Sequence, residues 1–145
     1  MIHHIPNVLS KEQVLYFRNT MQSTEWISGQ YTTGSLSANV KKNQQLPENH
    51  PLTQQLGNII LDAIGQNAQF LSAALPLEIL PPYFNRYENN QSFGFHVDNS
   101  IRNIRGTQQR IRTDLSCTVF LSEPDEYQGG ELVVEDTYEI GRAHV

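Results

Sequence analysis

Cysteine is almost absent: Cys117 is the only one in 145 residues. A lone thiol excludes an internal disulfide framework and any zinc site built on several cysteines. Basic residues are also scarce. Ten Lys and Arg against fifteen Asp and Glu leave a formal charge of −5, without the cationic footprint of a dedicated nucleic-acid binder. No apolar run approaches the ~18 residues of a membrane-spanning helix. The opening Met1-Ile2-His3-His4-Ile5-Pro6 has neither the charged nor the apolar region of a signal peptide. No Ser-His-Asp arrangement, phosphate-cradling glycine loop or zinc-binding helix motif is visible. These absences leave a cytoplasmic globular chain as the expectation, with no nucleic-acid or membrane partner and enough length for a real core.

What is present divides near Pro76. Ser10-Lys11-Glu12-Gln13 has the form of a capping box, and Val14, Phe17 and Met21 follow at helical spacing, predicting a helix over 11–22. Residues 26–33 and 38–46 read as short strands broken at Gly34. Pro51 opens a second helix with Leu52, Leu56, Ile59, Ile60 and Ala63 on one side. A third helical piece spans 68–74. Beyond Pro76 the pattern turns to strands: 83–87, a turn at Asn89-Asn90, 93–98, the alternating 115–121, and 131–134 after a turn at 124–130. Residues 99–110 are polar and read as a mobile loop. The expected class is α+β, with helices first and then antiparallel strands belonging to a barrel or jelly roll.

The chemistry concentrates in Gly94-Phe95-His96-Val97-Asp98. If this stretch is extended, His96 and Asp98 project from one face, because side chains alternate along a strand. One imidazole and one carboxylate are two members of the 2-His-1-carboxylate set that holds non-haem Fe(II). His-x-Asp is short enough to arise by chance, and a surface or hydrogen-bonded histidine is the competing explanation.

A longer pattern adds to it. Phe84-Asn85-Arg86-Tyr87, Gly94-Phe95-His96-Val97-Asp98, Arg112-Thr113-Asp114-Leu115-Ser116 and Gly129-Gly130-Glu131-Leu132-Val133-Val134 resemble the bacterial PKHD-type hydroxylases, which are prolyl 4-hydroxylase-like dioxygenases. Lys42-Asn43-Gln44-Gln45 and Ala73-Ala74-Leu75-Pro76 extend the likeness over residues 1 to about 138. The resemblance implies an Fe(II)- and 2-oxoglutarate-dependent hydroxylase on a double-stranded β-helix, with L-ascorbate as reductant. O2 and a peptide or small-molecule substrate would be its partners. By matching position His96 and Asp98 would be the metal ligands. Tyr87 matches a tyrosine that approaches 2-oxoglutarate, with aromatic packing as its alternative role. Arg86 and Arg112 are expected to form structural or solvated ion pairs.

The resemblance also implies a second histidine tens of residues downstream, then an arginine whose planar fork grips the far carboxylate of 2-oxoglutarate. Only His144 lies downstream, one residue from the end, and no arginine follows it. Moreover, Glu139-Ile140-Gly141-Arg142-Ala143-His144-Val145 is what a common short-read sequencing adapter spells in one reading frame. The expected organisation is a helical and short-strand region over 1–75, part of a β-helix domain over 76–138, and a foreign tail over 139–145. On that expectation the chain is an inactive fragment without the distal histidine. The alternative is a non-catalytic β-rich module that binds a metal or another chain.

Overall fold

A computed structural model describes residues 2–32, 40–104, 106–135 and 140–143. Helix α1 runs Lys11–Gln22. Its capping box forms as expected: Gln13 N–H donates to Ser10 Oγ at 3.2 Å and Ser10 N–H to Gln13 Oε1 at 2.8 Å. Helix α2, Pro51–Gly65, starts on a different device. The side chain of His50 accepts from Leu52 N–H, and Pro51 occupies the first turn, where its missing N–H costs nothing. Helix α3, Ala68–Ala74, is capped by Asn67 and ends at Leu75, whose φ of 44° is left-handed, just before Pro76.

The apolar faces of α1 and α2 meet around Leu9, Phe17, Met21, Leu46, Leu56, Ile60, Ile64 and Phe84. Phe17 and Phe84 approach to 6.0 Å between ring centres, tying the first helix to the strand region. Arg18 and Glu126, far apart in sequence, join at 2.8 Å and fasten a short 3-10 turn at Pro124–Glu126 to α1.

The strands are short and antiparallel. β1 (Ile27–Ser28), β3 (Gln44–Gln45) and β4 (Asn85–Arg86) make one sheet in the order β1-β3-β4. β2 (Lys41–Lys42) pairs with β5 (Ser92–Phe93), placing Lys41 opposite Phe93. β6 (Ile101–Asn103) pairs with β7 (Arg110–Arg112), and β8 (Leu132–Glu135) with β9 (Ile140–Ala143). The class is α+β.

Several sequence expectations are corrected. The strand expected from residue 26 gives way at Gly29 to a 3-10 turn, Gly29–Thr32. Of 83–87 only Asn85–Arg86 pairs, and of 93–98 only Phe93 does. Residues 99–110 are not an open loop but contain most of a hairpin. Its backbone groups bond across it, with Ile104 N–H donating to Gln109 O at 2.9 Å, and Gly106 takes the positive φ of its turn. The alternating 115–121 is no strand. A strand needs a neighbour to complete its ladder, and no described strand pairs with it. Its apolar alternation still has an effect, because Val119 and Leu121 pack on the core while Leu115 is 66% exposed. Gly34 and His144 lie outside the described residues, as do Glu139 and Val145 of the tail.

Candidate metal centre and adjoining cleft

The β2–β5 ladder is what aims the His-x-Asp segment. Beyond Phe93, Gly94 N–H still donates to Val40 O at 3.0 Å, and a Cβ on Gly94 would stand 3.2 Å from that of Val40. The glycine therefore lets the two backbones approach closely before the chain bends at Phe95. Past the bend, His96 stacks on Phe93 with ring centres 3.6 Å apart and planes 12° from parallel. Its Nδ1 sits 2.7 Å from Gly94 O, and its Nε2 lies 3.2 Å from Asp98 Oδ1. The structure thus brings His96 and Asp98 together, although their convergence comes from a bend rather than from a paired strand.

This arrangement has a chemical consequence. A carbonyl oxygen only accepts, so the ring must carry its proton on Nδ1. A neutral ring then turns the Nε2 lone pair toward a carboxylate oxygen. Two acceptors at that spacing repel each other unless a cation, either a proton or a metal ion, sits with them. Metal–ligand bonds of roughly 2.0–2.2 Å meeting near a right angle put donor atoms about 3 Å apart. The pair therefore fits a borderline divalent metal, and the Gly94 carbonyl supplies the contact that commonly fixes a ligating histidine. Among the described residues no group of three or more metal-binding side chains occurs. Two protein donors are present.

Tyr87 lies just beyond β4 and is half-exposed. Burial pushes its phenol pKa up, and a hydrogen bond with Asn43 works in the other direction. Asn43, 5% exposed, belongs to the wall of a cleft of about 330 Å³ that Trp26, Lys41, Lys42, Gln44 and Gln91 also line. The Nδ2 of Asn43 donates to Asn85 Oδ1 at 3.1 Å, and its own Oδ1 is buried with no hydrogen-bond partner. So Tyr87 is tied to Asn43, which lines the cleft.

Arg86 takes a structural role. Its guanidinium lies 4.4 Å from the centre of the Trp26 ring, donates from Nε to Gln44 Oε1 at 2.7 Å, and reaches Glu88 at 3.5 Å. Arg112 pairs with Asp114 at 2.7 Å in the open, where such pairs are worth little.

Sequence reasoning did not single out Lys41. It is 6% exposed, and its ammonium stands 5.4 Å over the Phe93 ring. The signal was the alternation around it, with Lys41 and Asn43 inside and Lys42 outside, as a strand requires.

No family model matches the chain. A PKHD-type hydroxylase of Acinetobacter baumannii (strain AYE) is 73% identical over 138 residues, covering 95% of this chain and 61% of the relative. A PKHD-type hydroxylase of Acinetobacter baylyi is 62% identical over 138 residues, with the same coverage of both chains. One from Methylobacillus flagellatus is 55% identical over 140 residues, covering 97% of this chain and 62% of that protein. The chain spans about three-fifths of the length of these relatives.

Proposed function

Because the chain belongs, over those 138 residues, to the PKHD-type hydroxylases, we propose that it carries the proximal half of an Fe(II)- and 2-oxoglutarate-dependent hydroxylase site. His96 and Asp98 are the two ligands this half contributes. The observation that carries the proposal is the convergence of His96 Nε2 and Asp98 Oδ1 to 3.2 Å, with the imidazole held by Gly94 O. A neutral imidazole and a carboxylate suit Fe(II) and leave coordination positions open for other molecules.

Bound there, the iron would couple O2 and the oxidative decarboxylation of 2-oxoglutarate to hydroxylation of a substrate. The work of this chain's own residues is placement. Phe93 and Gly94 immobilise the imidazole, Asp98 supplies negative charge, and Tyr87 with Asn43 closes one side toward the cosubstrate. The double-stranded β-helix, the use of ascorbate as reductant and a peptide or amino-acid-like substrate belong to the same proposal. So does the division into a helical and short-strand region over 1–75, part of a β-helix domain over 76–138 and a foreign tail over 139–145, of which Ile140–Ala143 pairs with β8.

With two protein donors among the described residues, the 145-residue chain by itself should hold iron weakly and turn over little. The same count favours the second reading, a non-catalytic metal-binding or interaction module. Anaerobic titration with Fe(II) and 2-oxoglutarate separates the two. The hydroxylase reading expects a visible charge-transfer band that Asp98→Ala weakens by about tenfold in iron affinity or more. A band unchanged in that variant removes Asp98 from the ligand set, and iron binding indifferent to 2-oxoglutarate favours the module.

A further inference from the structure

The β6–β7 hairpin is the most basic stretch of an acidic chain. Four of the seven arginines fall within Arg102–Arg112, and neither Asp nor Glu occurs between Asp98 and Asp114, although the whole chain carries a formal charge of −5. No aromatic residue lies in that interval either.

The ladder sorts these residues onto two faces. Arg102 and Ile111 are cross-strand partners, half-buried on the inner side. There Arg102 donates to the Tyr83 hydroxyl and lies 5.1 Å from the centre of its ring, which fastens the hairpin to the residues before β4. The opposite face holds Ile101 with Arg112 and Asn103 with Arg110, all four exposed. Arg110 and Arg112 therefore stand on one face of β7, about 7 Å apart along the strand. Arg112 is paired with Asp114 at 2.7 Å, whereas the guanidinium of Arg110 has no partner among the described residues.

The backbone of the same two residues is turned outward. Thr113 N–H donates to Ser100 O and Ile104 N–H to Gln109 O, each at 2.9 Å. Hydrogen-bonded pairs alternate with unbonded ones along an antiparallel ladder. Ile101 with Arg112 and Asn103 with Arg110 are accordingly the unbonded pairs, whose N–H and C=O groups point away from the facing strand. β7 pairs with β6 and with no other described strand. Its outer edge thus presents the backbone groups of Arg110 and Arg112 beneath their two guanidinium groups.

We propose that the outer edge of β7 is a docking site for an extended acidic segment of a partner protein, which adds a strand and sets carboxylates against Arg110 and Arg112. The proposal does not depend on the hydroxylase reading. Main-chain bonds hold an added strand of this kind, and pairing of its alternate side chains selects it. Because every second side chain shares a face, the matching segment carries acids at alternate positions. Opposite charges across a ladder stabilise it and like charges oppose it, which favours this partner over a neutral or basic one. A single-stranded nucleic acid also carries regular negative charge, but its bases need aromatic stacking surfaces, and the hairpin has none.

The test is fluorescence polarisation of a dye-labelled peptide of alternating aspartate and threonine, titrated with the full chain in low salt and a metal chelator. Saturable binding is expected. The asparagine–threonine counterpart should bind about three- to tenfold more weakly, the loss that two exposed ion pairs imply. The double variant Arg110→Gln with Arg112→Gln should lose a similar factor toward the acidic peptide. A peptide with the same number of aspartates spaced three apart puts successive acids on opposite faces and should also bind more weakly.

Equal binding of the asparagine or the respaced peptide, a double variant indistinguishable from wild type, or no saturable change up to about 1 mM chain would each overturn the proposal. An oligouridylate bound as tightly as the alternating acid would overturn it in favour of nucleic acid. A dimer of the chain alone that the double variant dissolves would overturn it in favour of a second copy. If the double variant does not fold, the three peptides compared on the wild-type chain still decide. Failure of iron binding at His96 and Asp98 leaves these titrations untouched, so the two readings fail separately.

Discussion

Replacing Gly29 by alanine adds one methyl group directly against Asn43, which lines the cleft. The φ of Gly29 is not among the positive values of the chain, so the backbone accepts alanine and space alone decides the outcome. The new Cβ would fall 1.8 Å from Asn43 Oδ1 and 2.9 Å from Asn43 Cγ. Asn43 must therefore leave its position, breaking its 3.1 Å bond to Asn85. Gly29 N–H also donates to Asn43 O at 3.0 Å, so the strain passes into the β1–β3 pairing. Overpacking of this kind costs about 1–3 kcal/mol, and the lost hydrogen bond adds about 1 kcal/mol, giving ~2–4 kcal/mol. Urea unfolding followed by Trp26 emission measures it. The double variant Gly29→Ala with Asn43→Ala removes the clash and should be more stable than Gly29→Ala alone by about 1 kcal/mol or more, a coupling that a mutant cycle isolates. A Gly29→Ala midpoint within about 0.5 kcal/mol of wild type, or strictly additive effects, would refute the reasoning.

Two further outcomes follow from the packing and the charges. Leu56→Ala removes a side chain with no exposure at the α1–α2 contact and should cost about 2–5 kcal/mol in urea unfolding; a loss under 1 kcal/mol would mean that this contact collapses without a cavity. The hydrogen bond from Arg18 holds the Glu126 carboxyl below its ordinary pKa, helped by its backbone contact at Glu123. A depressed carboxylate stabilises above its unfolded pKa and loses that contribution as pH falls through the folded value. The melting temperature of wild type should accordingly exceed that of Glu126→Gln near neutrality, and the two should converge in acid below the usual carboxylate range. A difference that persists there would show that the pair acts through packing instead of charge.

Where local chemistry governs, residues and structure agree. The capping box at Ser10 and Gln13, Pro51 in a first turn and Pro76 beyond α3 each satisfy or remove backbone groups within a few positions, so the three helices stand where spacing placed them. The turn at Asn89-Asn90 is equally local, with Asn90 at φ 63°. The strands were less legible, because pairing depends on what lies alongside. Residues 115–121 carry a clear alternation and form no ladder, whereas the polar 99–110 stretch contributes to one.

The sequence by itself determined the helical half, the α+β class and the pairing of an imidazole with a carboxylate two residues on, since each follows from spacing along one stretch of backbone. Only the tertiary structure decided how that pair is held. The stacking on Phe93, the Nδ1 contact with Gly94 O and the bend that turns Nε2 toward Asp98 all depend on β2 lying against β5. The burial of Lys41 was likewise invisible in its own neighbourhood. It requires Gly29 and Phe93, far apart in sequence, to meet around one side chain. Long-range contacts of this kind are set by how surfaces close on one another, which no local periodicity encodes.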